Sequence, residues 1–320
     1  MVINAAHLFG QSPADDADWQ RYLFLLRSST LEWLPSQPFF LKADYQLYDL
    51  EGNPTVKGAV QENWPAGTAT QIQIHSPSLS VEGPQWDDVK THNRENYLVR
   101  QALSLLVRPF PRATQRSNFH LEIAPNIAKV QFECFSIVPP GTTKGADSPG
   151  YCANANNQIV AITGPEFVLD REDFRRFRGH EIPMSITLSY QGKISLSLHV
   201  TELDELQPKT STSIANINKS STPRTQIPVE VMTGNLIKHK NPKFPFEAKL
   251  RKIDGTVVLT ALIAPDGNTT GIDVIASPHS LLSKSSVDAV QKWKYRPYIL
   301  NGKPSAVETT ILVNYSIGSN

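Results

Sequence analysis

The sequence predicts an α+β chain in two parts: an N-terminal antiparallel β-sheet with one or two helices against it, and a small C-terminal module of strands and helices. Three observations predict this. From Phe39 onward apolar and polar residues alternate with period two, the signature of a half-buried strand, and the pattern recurs between turn sequences. Helical spacings of three and four surface in only a few places. Between Gln207 and Gln226 the composition shifts to Ser, Thr, Asn, Lys and Pro with almost no large apolar residue, which reads as a polar linker. The expected division is 1–206, a linker 207–226, and 227–320; a chain of 320 residues is long enough for two ordinary cores.

In order along the chain, Asp15 or Asp16 can cap a first helix running to about Ser29, with Trp19, Leu23 and Leu26 on one face. Phe39, Leu41, Ala43, Tyr45 and Leu47 then form one face of a strand. The turn sequence Asp49 to Pro54 returns the chain along a second strand, Thr55 to Trp64, and a third follows at Gln71 to His75. A helix is expected from about Asn93 to Val107, where Leu98, Ala102 and Leu105 make a stripe and Pro109 ends it. Strands follow at Phe119 to Ile123, Val130 to Ile137, Gln158 to Thr163, Ile182 to Tyr190 and Lys193 to Leu203. The charged run Asp170 to Asp173 with Arg175, Arg176 and Arg178 reads as a solvated turn or short helix, and His180-Glu181 as an exposed turn leading into a strand.

Composition narrows the function. The 24 prolines and the strand pattern argue against a helical bundle, and 40% hydrophobic residues argue against disorder. A formal charge of +1 without a long basic run gives no field for nucleic acid or an anionic membrane, so neither partner is expected. No stretch approaches the 18 or so apolar residues of a membrane helix. The start, Met1 to Gly10, lacks a basic n-region and is not read as a secretory signal. The eight histidines are scattered, with no metal-ligand spacing, and there is no nucleophile elbow or phosphate-binding glycine loop. The sequence thus predicts no catalytic residue, no metal and no cofactor. Cys134 and Cys152 fall in strand-like sequence on either side of the Pro139 to Gly150 loop, where a hairpin would bring them into bonding range in an oxidising compartment; two buried free thiols are the alternative.

After the linker, Asn241-Pro242-Lys243-Phe244-Pro245 opens a short helix, Phe246 to Arg251, and Asp254-Gly255 releases the chain into a strand, Thr256 to Ala264. Pro265-Asp266-Gly267-Asn268 is a strong hairpin turn before a returning strand, Gly271 to Ala276. A helix from about Leu281 to Lys294 presents Leu282, Ser286, Ala289, Val290 and Trp293 on one face, wide enough to cover that hairpin. Asn301-Gly302-Lys303-Pro304 turns into a last strand, Ala306 to Ile317, on which Val307, Thr309, Ile311, Val313 and Tyr315 share a face.

The order Pro-x-Phe-Pro, Gly-Thr-Val-Val-Leu, Ile-x-x-Asp-Gly, Val-Ile-x-Ser, Asp-Ala-Val-x-x-Trp-x-Tyr-x-Pro, Asn-Gly-x-Pro and a terminal amphipathic strand resembles the TonB C-terminal domain. The resemblance implies a three-stranded antiparallel sheet backed by helices. It also implies a periplasmic, non-catalytic role in which the TonB box of an outer-membrane transporter, or a segment of another periplasmic protein, adds to the sheet as a strand. The implied partner-binding residues are Val307, Thr309, Ile311, Val313 and Tyr315 on the terminal strand, with Asn241 and Phe244 at a second contact; Asn241 stands where the family usually has glutamine and Phe244 where it has tyrosine. Family members that transmit the proton-motive force carry an N-terminal membrane helix and a Pro-rich spacer, and this sequence shows neither.

The stretches Pro38 to Pro54 and Tyr151 to Leu206 resemble N-terminal domains joined to TonB-type modules in soil bacteria such as acidobacteria. Those domains look like the half-open β-barrels of LolA-like lipoprotein carriers, which implies a hydrophobic ligand, a lipid or a lipoprotein, as an alternative role. Read from the residues alone, Leu41, Tyr45, Leu47, Ile72 and Ile74 either fill a core or line a ligand cavity.

Overall fold

A computed structural model describes residues 13–31, 38–64, 71–84, 92–110, 121–123, 132–137, 150–164, 166–206, 225–227, 232 and 234–317. The expectations for Met1 to Gly10, for the loop 138–149 and for most of the linker, 207–224, lie outside the described residues, as do Phe119, His120 and Val130.

In chain order the elements are α1 (Pro13–Ser29), β1 (Phe39–Tyr48), β2 (Pro54–Trp64), β3 (Gln71–His75), β4 (Ser80–Pro84), α2 (Arg94–Val107), β5 (Leu121–Ile123), β6 (Glu133–Ile137), β7 (Gly150–Ala153), β8 (Ile159–Gly164), β9 (Phe167–Phe177), β10 (His180–Tyr190) and β11 (Lys193–Glu205). There follow β12 (Thr225–Ile227), β13 (Leu236–Lys238), α3 (Phe246–Leu250), β14 (Gly255–Ile263), β15 (Thr269–Ala276), α4 (Ser280–Val290), β16 (Lys294–Tyr295), β17 (Tyr298–Leu300), β18 (Lys303–Ser305) and β19 (Val307–Tyr315).

The N-terminal part is one open antiparallel sheet of eleven strands in the order β4-β3-β2-β1-β11-β10-β9-β8-β7-β6-β5. β1 pairs with β11, Phe39 opposite Glu205 through Leu47 opposite Leu196, so the first and last strands of this part lie side by side. The period-two pattern of β1 is realised as a buried face of Phe39, Leu41, Ala43, Tyr45 and Leu47. Those residues, with Ile72 and Ile74, belong to one buried cluster shared with α1 and α2.

Three expectations are corrected here. Helix α1 starts at Pro13, ahead of the expected caps Asp15 and Asp16; a proline is tolerated there because the first-turn N–H has no intrahelical partner. The charged run from Asp170 is not a turn or a helix but part of β9, in which Leu169 and Arg171 point inward while Asp170 and Glu172 point out, and Asp173 takes a positive φ of 54°. The density of charge concealed the alternation. The turn lies later, at Arg178-Gly179, and His180 already belongs to β10; its Nδ1 lies 2.6 Å from the carbonyl of Arg27, and Glu181 accepts from Gln158 at 3.1 Å.

Arg171 is fully buried. Its guanidinium donates to the carbonyl of Ile159 at 3.0 Å and to that of Leu106, in the last turn of α2, at 3.3 Å. A cation beside the unpaired carbonyls of a helix C-terminus is favourable, and it stands in here for a carboxylate partner. Burial pushes the group down to about 9, still charged at neutral pH.

Helix α2 is capped by Asn93, whose side chain accepts from the Asn96 N–H at 2.8 Å. It is buried almost all round, polar Glu95, Asn96 and Arg100 included, because it packs on β10 and β11 with one side and on β15 with another.

The C-terminal part is a sheet ordered β12-β19-β14-β15, three antiparallel strands with β12 added in parallel at one edge. The hairpin turn at Pro265 to Asn268 requires Gly267, where φ is +83° and a Cβ would lie 1.9 Å from the carbonyl oxygen of Tyr295. Helix α4 ends at Val290, four residues short of the expected Lys294, which instead pairs in β16 with β13. Its buried Leu282, Ser286, Ala289 and Val290 face the sheet.

Cys134 and Cys152 are register partners across β6 and β7 and form a disulfide. A closed loop with a separation of 18 residues should contribute about 3 kcal/mol. The Cys134→Ser/Cys152→Ser double variant should therefore lose about that much in urea unfolding, and wild-type protein under reductant should match it.

Burial pushes the phenols of Tyr22 and Tyr295 up to about 12 from 10.0. A raised folded value means that the neutral form is favoured in the fold, so this stability is complete below pH 10 and is lost as the pH rises towards 12. Urea midpoints measured against pH should stay level up to about pH 10 and then fall.

Candidate functional site

β19 reads Val-Glu-Thr-Thr-Ile-Leu-Val-Asn-Tyr, and its alternation sends two sets of side chains to two different layers. Val307, Thr309, Ile311, Val313 and Tyr315 are all buried. Four of them enter a cluster with Leu282, Val290 and Trp293, and the Tyr315 hydroxyl lies 3.0 Å from Ser286 Oγ on α4. Four of the five residues expected to bind a partner thus lie in the module's own core, and Ile311 also lines a cleft beside the strand.

The opposite set, Glu308, Thr310 and Leu312, meets the N-terminal part. Thr310 Oγ1 lies 3.0 Å from the Tyr97 hydroxyl on α2, and Leu312 packs against the large N-terminal cluster. Glu308, almost fully buried, has its Oε1 at 2.8 Å from His92 Nδ1 and its Oε2 at 3.4 Å from Arg100 Nη2. The other ring nitrogen of His92 lies 3.6 Å from Asp273 on β15, and the His92 side chain has no exposed surface. The ring nitrogens approach both carboxylates without the alignment of a hydrogen bond. Gly271 makes room, since a Cβ there would lie 3.2 Å from the His92 ring. Burial holds the Asp273 carboxyl above its ordinary range, His92 opposing and Glu308 adding to the shift. Arg94 completes the junction, donating to the carbonyls of Tyr48 at 2.7 Å and Ile275 at 3.2 Å.

Nothing in the sequence singled out this cluster. A lone Glu in an amphipathic strand reads as solvent-facing, and only the tertiary pairing of β19 with α2 makes it buried.

Phe244 sits at the far end of β19, its ring edge-on to that of Tyr315 at 5.2 Å with Lys249 above its other side. Asn241 is exposed. It follows Lys240, whose carbonyl accepts from Trp293 Nε1 at 2.8 Å. The structure thus places Phe244 against the terminal strand and Asn241 on the adjoining surface.

With both faces covered, the accessible feature of β19 is its edge away from β14. β12 pairs with Val307 to Thr309 only. From Thr310 to Tyr315 no strand pairs with that edge among the described residues. Alongside it runs a cleft of about 440 Å³ lined by Met232, Leu236, Ile237, His239, Trp293, Tyr295 and Thr310 to Leu312. A strand edge beside an apolar cleft can accept an extended chain, with backbone hydrogen bonds on one side and room for a large side chain on the other.

Removing one member of a buried ion group leaves the rest uncompensated, so Glu308→Ala should cost about 3–5 kcal/mol in urea unfolding. Asp273→Asn, which removes a desolvated charge with a longer contact, should cost under about 1 kcal/mol. Equal losses in the two variants would contradict this account of the junction.

Among the described residues no helix is long and apolar enough to cross a membrane. Residues 240–317 match the family model for the Gram-negative bacterial TonB protein C-terminal. Over 77 residues the chain is 30% identical to Protein TonB of Xanthomonas campestris pv. campestris, covering 24% of this chain and 34% of that one. It is equally identical over 77 residues to Protein TonB of Vibrio cholerae serotype O1, covering 24% and 32%. The chain thus spans about a third of the length of these relatives. Among solved structures, a putative outer membrane lipoprotein-sorting protein domain from Vibrio parahaemolyticus overlaps 63% of this chain and 97% of its own at 7% identity and a TM-score of 0.33. A LolA superfamily protein from Nitrosomonas europaea overlaps 60% and 95% at 11% identity and a TM-score of 0.34. Likenesses at these TM-scores are too distant to carry a functional reading.

Proposed function

We propose, from the match of residues 240–317 to the TonB C-terminal family, that this chain is a non-catalytic periplasmic protein that binds an extended segment of an outer-membrane transporter by strand addition. The observation that carries the reading is the unpaired stretch of β19 from Thr310 to Tyr315 next to the cleft walled by Leu236, Ile237 and Trp293. Every second residue of a strand turns its N–H and C=O to the same side, so this stretch offers an incoming segment a short ladder of backbone bonds. The segment gains affinity from the ladder and selectivity from the side chain it sends into the cleft. Phe244 lies at the end of that path, against Tyr315, and would meet residues beyond the ladder.

The fixed position of β19 supports this reading. A strand anchored on both faces loses little further freedom when a partner pairs with its edge, and such preorganisation lowers the entropic cost of binding.

Titrating the purified chain with a TonB-box peptide by calorimetry should give saturable binding. Ile237 is 54% exposed on the cleft wall, so Ile237→Asp leaves the core intact while placing a charge in the path of an apolar side chain. Its affinity should fall about tenfold, roughly 1.4 kcal/mol. Absence of binding by the wild type, or unchanged binding by the variant, would refute the assignment.

A further inference from the structure

The edge of β19 is not wholly vacant: the chain itself occupies its first third. Thr225, Gln226 and Ile227 pair in parallel with Val307, Glu308 and Thr309. We propose that β12 is an exchangeable strand of the chain's own, and that a partner segment gains the full length of the β19 edge by displacing it. This rests on the strand-addition reading above and adds to it a built-in competitor.

The geometry distinguishes the two strands of this pair sharply. β19 is paired with β14 along its whole length, from Val307 opposite Ile263 to Tyr315 opposite Gly255. Its side chains are fixed on both faces, and Glu308, the residue opposite Gln226, is the one held by His92 and Arg100. β12 pairs over only three residues, on one side, at the end of the sheet. Loss of β12 therefore leaves β19 in place and in register. The weakest rung of the sheet lies on the edge that a partner needs.

Because β12 belongs to the same chain, it competes at a high effective concentration, and a free segment reaches Val307 to Thr309 only in the fraction of molecules from which β12 has detached. A segment that reaches beyond Thr309 along Thr310 to Tyr315 gains pairing that β12 does not make, so a longer segment displaces a shorter one. The arrangement selects against short or mismatched segments without any residue dedicated to rejecting them.

Gln226→Pro and Ile227→Pro, made separately in the full chain, test this. Alternate residues of a strand send their N–H to one neighbour, so at least one variant removes a rung. The first readout needs no partner: amide exchange at Val307 to Thr309 should be slow in the wild type and faster in a variant. The second uses a labelled synthetic peptide carrying residues 222–230, Thr-Pro-Arg-Thr-Gln-Ile-Pro-Val-Glu. It should bind that variant roughly tenfold more tightly than the wild type, in line with loss of a rung or two. A TonB-box peptide should gain by a similar factor. Equal exchange at Val307 to Thr309 in all three proteins, or equal peptide affinities, would overturn the proposal. If the chain's own peptide binds the opened edge and the TonB-box peptide does not, strand exchange stands and the transporter assignment falls.

Discussion

Helix α2 is buried along most of its surface, and the rest of the molecule follows from that constraint. One side of it packs on β10 and β11 of the large N-terminal sheet; another carries Tyr97 and Arg100 against the C-terminal sheet, with His92 just ahead of the helix. Burying Arg100 and Glu308 apart would be costly, whereas burying them within ionic contact, with His92 between two carboxylates, makes the junction tolerable and fixes its register. The helix thereby joins a sheet with a filled core to a module that would otherwise expose one face of its own sheet.

That junction changes what the C-terminal module can do. A small sheet backed by helices on one side could bind partners through its open face or through its edges. Here Val258, Ile275, Ala276 and Leu312 lie in or against the N-terminal cluster, so the face is used within the chain. The edge of β19 remains, together with the cleft between it and the segment from Met232 to His239. A partner would therefore be recognised mainly by main-chain pairing, with the core residues Ile311 and Val313 serving to keep the strand straight.

Much of the fold was legible because its signals are local. Period-two alternation gave β1 to β3, β10 and β11; the Pro-Asp-Gly-Asn turn gave the β14 to β15 hairpin; the spacing of Leu282, Ser286, Ala289 and Val290 gave the face of α4. What escaped was non-local or disguised. In β9 a dense run of charges hid an alternation in which Arg171, the least expected core residue, is the one turned inward. β12 is three residues at the boundary of a polar stretch, with no pattern long enough to detect, and its strand character comes only from its neighbour. The candidate site was half legible: the terminal strand stood out, but that its apolar face is internal, and that Glu308 is clamped by residues some two hundred positions earlier, depends on packing.

The central claim is that the edge of β19 accepts a partner strand, and residue-resolved amide exchange with and without a bound TonB-box peptide measures this most directly. The account predicts that added protection falls on Thr310 to Tyr315, with β15, at the opposite edge of the same sheet, unchanged. Protection appearing on β15 instead, or binding without any change along β19, would contradict it.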